Sequence, residues 1–358
     1  MRKVIVFLAA AAAIIMSAAL FTSCGRDTGQ DTLRIFNWAW YTPQSVIDAF
    51  EQEYGVRVVY SEFSSNEAMF ARIMAGGAQE FDIVFPSGDY VAIMIRLGML
   101  ERLDHSLIPN LANIDPEVVA KAAYDPLMQY SVPYFFGAAG IAVNTTHVPE
   151  FERSINIFSR TDLNAGAVRR MTMLNDPRQV IGDALSYLGF SINSRNPQEI
   201  AAARDHVLTH WRPNLVRFES SIIGDAFVSG EFWVVQTWAE DVLINVALSG
   251  DEQLINNTVF FIPPGASSYT DNMVILRDSP NVEMAHRFIN FIHRPDIYAM
   301  FVDEFNLPAT VNIPARQYTQ VTPWFTVEDM AVTGEIQDDV GPAMMYFTDA
   351  WFDIQFGN

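Results

Sequence analysis

Four short stretches of this 358-residue chain combine aromatic rings with hydrogen-bonding or acidic groups at the ends of apolar segments. Asn37-Trp38-Ala39-Trp40-Tyr41 and Ser87-Gly88-Asp89-Tyr90 each follow such a segment. Trp238-Ala239-Glu240-Asp241 follows a third, and Tyr269-Thr270-Asp271 precedes a fourth. Aromatics beside carboxylates suit a cation with an apolar body. A protonated amine needs anionic acceptors once it leaves water. Ring faces add about 0.5–2 kcal/mol of cation–π attraction each, and covering methylenes adds about 0.8 kcal/mol per CH₂. A linear polyamine, with amines at its ends and methylenes between, would want separated carboxylates and a stack of rings. Asp89, Asp176, Asp241 and Asp271, with Trp38, Tyr41, Trp238 and Tyr269, meet that requirement. The competing reading of any one pair is a surface acid beside a core aromatic.

Other chemistries find little support. There is no Walker loop, no G-x-G-x-x-G opening a helix, no G-x-S-x-G elbow and no H-E-x-x-H. His206 and His210 stand at i, i+4 and could clamp a metal, but no acidic third ligand is patterned beside them, so a solvated helix face is expected. Cys24 is the only cysteine, which excludes an intramolecular disulfide and a cysteine metal cluster. The chain is therefore read as a non-enzymatic protein without metal or cofactor.

The elements that would position these residues alternate. Leu33–Phe36 reads as a strand. Thr42-Pro43 then predicts a helix start, Val46, Ile47 and Phe50 continue at helical spacing, and Gly55 ends it. Val56–Tyr60 is a second, β-branched strand, Ser65 opens a second helix, and Phe81–Phe85 is a third strand. Later strands are expected at Trp233–Thr237 and Met273–Leu276, and helices at Val282–His293 and from Pro295 through Phe305. Strand and helix in alternation mean an α/β fold with a mostly parallel sheet, whose ligands sit at the carboxyl ends of the strands.

The N-terminus opens with Arg2 and Lys3, continues through the apolar run Val4–Leu20, and ends in small residues before Cys24. This order is that of a secretion signal, and a lone cysteine at its cleavage point looks like the lipid acceptor of a bacterial lipoprotein. A retained anchor helix is the alternative, although the run barely reaches the ~18–20 apolar residues a bilayer needs. The formal charge of −20 becomes −22 once Arg2 and Lys3 are removed. So acidic a chain is unsuited to nucleic acid and compatible with a cationic ligand.

At Asn37–Tyr41, Ser64-Ser65-Asn66-Glu67, Phe81–Ser87 and Val132–Gly137 the chain resembles the spermidine/putrescine-binding proteins of bacterial ABC importers. The likeness continues through Leu174–Gln179, Trp238–Asp241, Phe291–Asp296 and Gln337–Gly341, in the same order and over almost all of the mature chain. The resemblance implies a two-lobed periplasmic-binding-protein fold, each lobe a mixed sheet flanked by helices, with the ligand cleft between them. It implies a signal peptide at 1–23, a lipid tether at 24–32, one lobe from 33–137 with 270–315, and another from 138–269 with 316–358. Trp38 and Tyr41 would line the ligand from the first lobe, Ser87 would hydrogen-bond an amine, Trp238 would stack on methylenes and Asp271 would grip an ammonium. Asp176 and Asp241 match acidic positions, and Gln337 a polar contact. Trp40, Asp89, Gln179, Tyr269 and Leu307 depart from the family pattern, and the remaining acids would serve putrescine or spermidine. The implied partners are a polyamine, an ABC permease and, through Cys24, a membrane; the implied state is a periplasmic, lipid-anchored monomer. A receptor of the same fold for an amino acid, sugar or metal is the other reading.

Overall fold

The computed structural model describes residues 32–39, 41–163 and 168–357. The expected signal segment, Cys24 and Trp40 lie outside the described residues. The chain opens with strand β1 (Thr32–Trp38), helix α1 (Gln44–Tyr54), β2 (Arg57–Phe63), α2 (Asn66–Met74), the short β3 (Ile83–Val84) and α3 (Gly88–Arg96). Helix α1 buries Val46, Ile47 and Phe50 on one face, and Gly55 stops it at φ 66° while its N–H bonds Glu51 O. A left-handed residue is easiest for glycine, so this stop was readable in advance. Pro43, rather than Thr42, occupies the N-cap. The Thr42 hydroxyl is instead engaged by Asn37 Nδ2 at 3.0 Å and Tyr134 Oη at 3.1 Å, which ties the loop after β1 to the core.

Two five-stranded sheets organise the molecule. Adding β4 (Ser131–Ala138) and β10 (Ser268–Ile275) gives the first the order β2-β1-β3-β10-β4. The second runs β7-β6-β8-β5-β9, from β5 (Gly140–Asn144), β6 (Met171–Met173), β7 (Leu215–Phe218), β8 (Val234–Thr237) and β9 (Thr258–Phe261). Strands β1, β2 and β3 are parallel, whereas β10 runs antiparallel to both β3 and β4. Both sheets are thus mixed. Helices α4 (Pro177–Tyr187), α5 (Pro197–His206) and α6 (Ala239–Leu248) follow strands of the second sheet, and α7 (Val282–Ile292) and α8 (Pro295–Glu304) follow β10. The last helix, α9 (Met344–Phe356), buries Phe347, Ala350 and Ile354 in the core of the second sheet.

The chain passes between the sheets at three adjacent places. Only Ala139 separates β4 from β5, residues 262–267 join β9 to β10, and residues 334–337 run beside the start of β10. There Ser268 N–H donates to Glu335 O at 3.1 Å, and Gln337 N–H donates to Ser268 O at 2.8 Å. Several sequence boundaries shift accordingly. The strand expected at Met273–Leu276 begins at Ser268 and so contains Tyr269 and Asp271, because its first half pairs with β4. The division placed after residue 137 and before residue 270 falls inside β4 and β10. Residues 316–332 return to the first core, where Phe325 and Met330 are buried and Trp324 Nε1 donates to Phe305 O at 3.1 Å.

Candidate functional site

The site is centred on Asp271, which is only 4% exposed. A bulge between Asp271 and Asn272 interrupts the pairing of β10 with β4, and bulges of this kind re-aim a side chain. Because β10 is antiparallel to β3, Asp271 arrives beside the loop that leaves the carboxyl end of β3, and bridges to Ser87. Ser87 Oγ donates to Asp271 Oδ1 at 2.6 Å, and Tyr41 Oη donates to Oδ2 at 2.8 Å. Asn66 Nδ2 in turn donates to Ser87 Oγ at 3.0 Å, so the serine is oriented from α2. Burial pushes Asp271 up to about 7 despite these two donors, and the nearby acids Asp89 and Glu240 push the same way.

Tyr269, two residues earlier, is near enough to Asp271, Glu240 and Asp241 for their charges to raise its hydroxyl further, burial being the largest cause. Its ring meets Trp238 edge-on at 5.1 Å and 83°. Gly137 on β4 makes room for it: a Cβ there would fall 2.6 Å from Tyr269 Oη. Trp238 forms the N-cap of α6, which carries Glu240 and Asp241 in its first turn. Both carboxyls are raised by burial, Asp241 also by its neighbour.

The remaining acids come from facing helix starts. Asp89 lies in the first turn of α3, on the first sheet, and burial lifts it to about 6 while Arg178 pulls it down. Asp176 caps α4, on the second sheet, its Oδ1 accepting Arg178 N–H at 2.8 Å and Gln179 N–H at 3.0 Å; burial raises it too. Arg178 is 8% exposed, stacked 4.7 Å over Phe347, and hydrogen-bonded to Asn193 Oδ1 at 2.8 Å and to Asp338 O at 3.2 Å. Its Nε and Nη1 have no hydrogen-bond partner among the described residues. Arg96 on α3 pairs with Asp339 at 2.8 Å, a further link between the two halves.

Five carboxyls are thus held up by burial, and of these only Asp89 and Asp176 feel the Arg178 guanidinium. Such a site favours whatever brings in positive charge. Of the expected residues, Tyr41, Ser87, Asp89, Asp176, Trp238, Asp241, Tyr269 and Asp271 belong to this connected group. Gln337 lies at its margin, with Nε2 3.5 Å from Gln179 Oε1 and Ser267 Oγ. Trp38 packs on Phe63 at 4.7 Å with Nε1 buried and unpartnered, and shares no hydrogen bond or ring contact with the other nine among the described residues. Sequence reasoning missed Arg178, Glu240 and Asn66 as site residues. No local signal separates Arg178 from an exposed basic residue at a helix start. His206 and His210 lie 4.7 Å apart with Tyr187 and Trp211 around them, and no group of three potential metal ligands occurs among the described residues.

Residues 45–328 match the model of the family described as bacterial extracellular solute-binding protein, a span that takes in strands of both sheets. The chain belongs to this family. Among solute-binding relatives, the spermidine/putrescine-binding periplasmic protein of Salmonella typhimurium is 32% identical over 95% of this chain and 96% of its own. The putrescine-binding periplasmic protein PotF of Escherichia coli is 29% identical, with 92% of each chain covered. The crystal structure of the TpPotD lipoprotein of Treponema pallidum superposes with a TM-score of 0.85 at 42% identity, covering 91% of this chain and 100% of that one. Solute-binding proteins of this family are two-lobed, and the two mixed sheets flanked by helices are those lobes.

Proposed function

We propose that the protein is a polyamine receptor that takes putrescine, spermidine or both in the cleft between its sheets and delivers them to an ABC permease. One observation carries this reading: Asp271, buried and hydrogen-bonded by Tyr41 and Ser87, sits among further buried acids and the rings of Tyr269 and Trp238. An ammonium placed there gains charge-assisted hydrogen bonds, and the rings cover its methylenes. The names of the relatives point to the same ligand class. Of the expected lobes, 33–137 with 270–315 and 138–269 with 316–358, the first would extend to the end of β4, begin again at the start of β10 and keep residues 316–332, which pack in its core.

A melting-temperature screen with putrescine, spermidine and a neutral amino acid tests the ligand class. The polyamines raise the midpoint by mass action; a rise with the amino acid alone would replace this reading with a same-fold receptor for another solute. Trp238→Ala removes a ring that would cover ligand methylenes, and the expected loss of affinity is about tenfold. Trp238→Phe restores most of it, because a ring face remains. Equal affinity for all three proteins in calorimetry would take Trp238 out of the site.

The receptor would work in the periplasm as a monomer, tied to a membrane through lipid on Cys24. Acylation allows a domain to be anchored without a spanning helix. Mass spectrometry of the N-terminus checks this: a mature chain beginning at acylated Cys24 is expected, and Cys24→Ser should abolish the modification. An unmodified or uncleaved N-terminus would refute it.

A further inference from the structure

Asp183 is a second buried acid, away from the ligand-facing group, on the inner face of α4 and 3% exposed. Its Oδ2 accepts Gln179 Nε2 at 2.9 Å and Gln236 Nε2 at 2.6 Å, and its Oδ1 accepts the Ser267 backbone N–H at 3.1 Å. No basic side chain pairs with it among the described residues. Burial lifts its pKa to about 6, and its hydrogen-bond donors pull the other way. An anion buried in this way survives only while its donors converge on it.

The origin of the three donors is the telling feature. Gln179 belongs to the first turns of α4, whose cap is Asp176. Gln236 lies in β8, one residue before Thr237 and two before Trp238, and its Oε1 takes Leu174 N–H at 3.3 Å. Ser267 lies in the crossing between the sheets, directly before β10 and its Tyr269 and Asp271. Gln337, in the neighbouring crossing, reaches Gln179 and Ser267 at 3.5 Å. One carboxylate thus fixes the roots of three segments that carry Asp176, Trp238 with Asp241, and Asp271.

We propose that Asp183 is a positioning residue that anchors the inter-sheet crossing to the second lobe and so sets the spacing of the acids and rings in the cleft. The assignment rests on the polyamine reading only for its effect on affinity; its effect on the crossing is independent of any ligand. Asp183 need not touch ligand. An amide in its place offers one acceptor oxygen where the carboxylate offers two, so the two glutamine donors and Ser267 N–H can no longer all be met at once.

Hydrogen exchange followed by mass spectrometry on the ligand-free full-length mature protein, wild type against Asp183→Asn, tests this. Exchange in a peptide covering 262–270 should accelerate about tenfold or more, while the 282–292 helix of the first lobe is unchanged. Spermidine affinity in calorimetry should fall about tenfold, mainly through faster dissociation. Unchanged exchange at 262–270, or faster exchange with affinity kept within twofold, would overturn the proposal. Should Asp183→Asn fail to fold, the wild type still decides: the Ser267 amide must exchange as slowly as Val234 and Val235 in β8, and exchange at the rate of exposed loops would refute the anchor. If wild type binds no polyamine, the functional reading fails while the exchange comparison still stands.

Discussion

Asp271→Asn should lose polyamine binding by about two to three and a half orders of magnitude while the ligand-free protein stays at least as stable as wild type. Removing one member of a buried ion pair costs about 3–5 kcal/mol, because the other charge remains desolvated and unpaired. The ammonium of the ligand would be that orphan. The free protein is in the opposite position. Without ligand, the Asp271 carboxylate has two hydroxyl donors and, among the described residues, no cation, and neighbouring acids repel it. An asparagine of the same shape keeps both hydroxyl contacts, since each hydroxyl can also accept, and removes the buried charge. Calorimetry and a melting curve on the same sample check the pair of effects. Lost affinity with a lowered melting point would mean misfolding, and retained affinity would remove Asp271 from the site.

The second large effect is on pH. Asp271 is held up at about 7 and Asp89 at about 6, and Asp176 and the Glu240–Asp241 pair are raised as well. A cationic ligand requires these groups ionised, so binding expels their protons. Each proton expelled changes affinity about tenfold per pH unit below the pKa of its group. Between pH 8 and pH 5 the Asp271 proton alone accounts for about a hundredfold weakening, and the other acids add to it. Stability of the free protein moves the other way. A carboxyl whose folded pKa is raised binds more protons folded than unfolded, so its stabilising effect is full below the unfolded pKa and is lost as pH rises through the folded one. His293, buried and depressed to about 3, opposes this by favouring the folded state at higher pH. His206, lowered by burial and by His210, acts in the same direction, but two histidines stand against several raised acids, so the free protein should melt higher at pH 5 than at pH 8, and saturating spermidine should reverse that order. Equal affinity at the two pH values would contradict the ionised-acid site.

Much of this was readable from residue order. The Gly55 stop and the aromatic-acid loops at the ends of β1, β3 and β8 are local signals, and local signals appear in a sequence. What stayed hidden depends on pairing between distant segments. Met273–Leu276 read as a strand because its residues are apolar, whereas Ser268–Asn272 looks polar and still pairs with β4. The same pairing brings Asp271 to Ser87, a contact across 184 positions. Arg178 gave no hint because a basic residue after Asp-Pro resembles an exposed helix start; it is buried because Phe347 from the final helix covers it. The Asp183 network was equally silent, its donors being two glutamines and one backbone amide.

Buried acids from both lobes would bind a polyammonium ligand as a group. Calorimetric titration of the mature protein with spermidine and with putrescine at pH 7, repeated in two buffers of different ionisation enthalpy, tests it most directly. Saturable binding of one ligand per chain is expected, with an apparent heat that changes between buffers because protons leave the acids as the ligand enters. No heat with either polyamine, or binding with the same heat in both buffers, would contradict it.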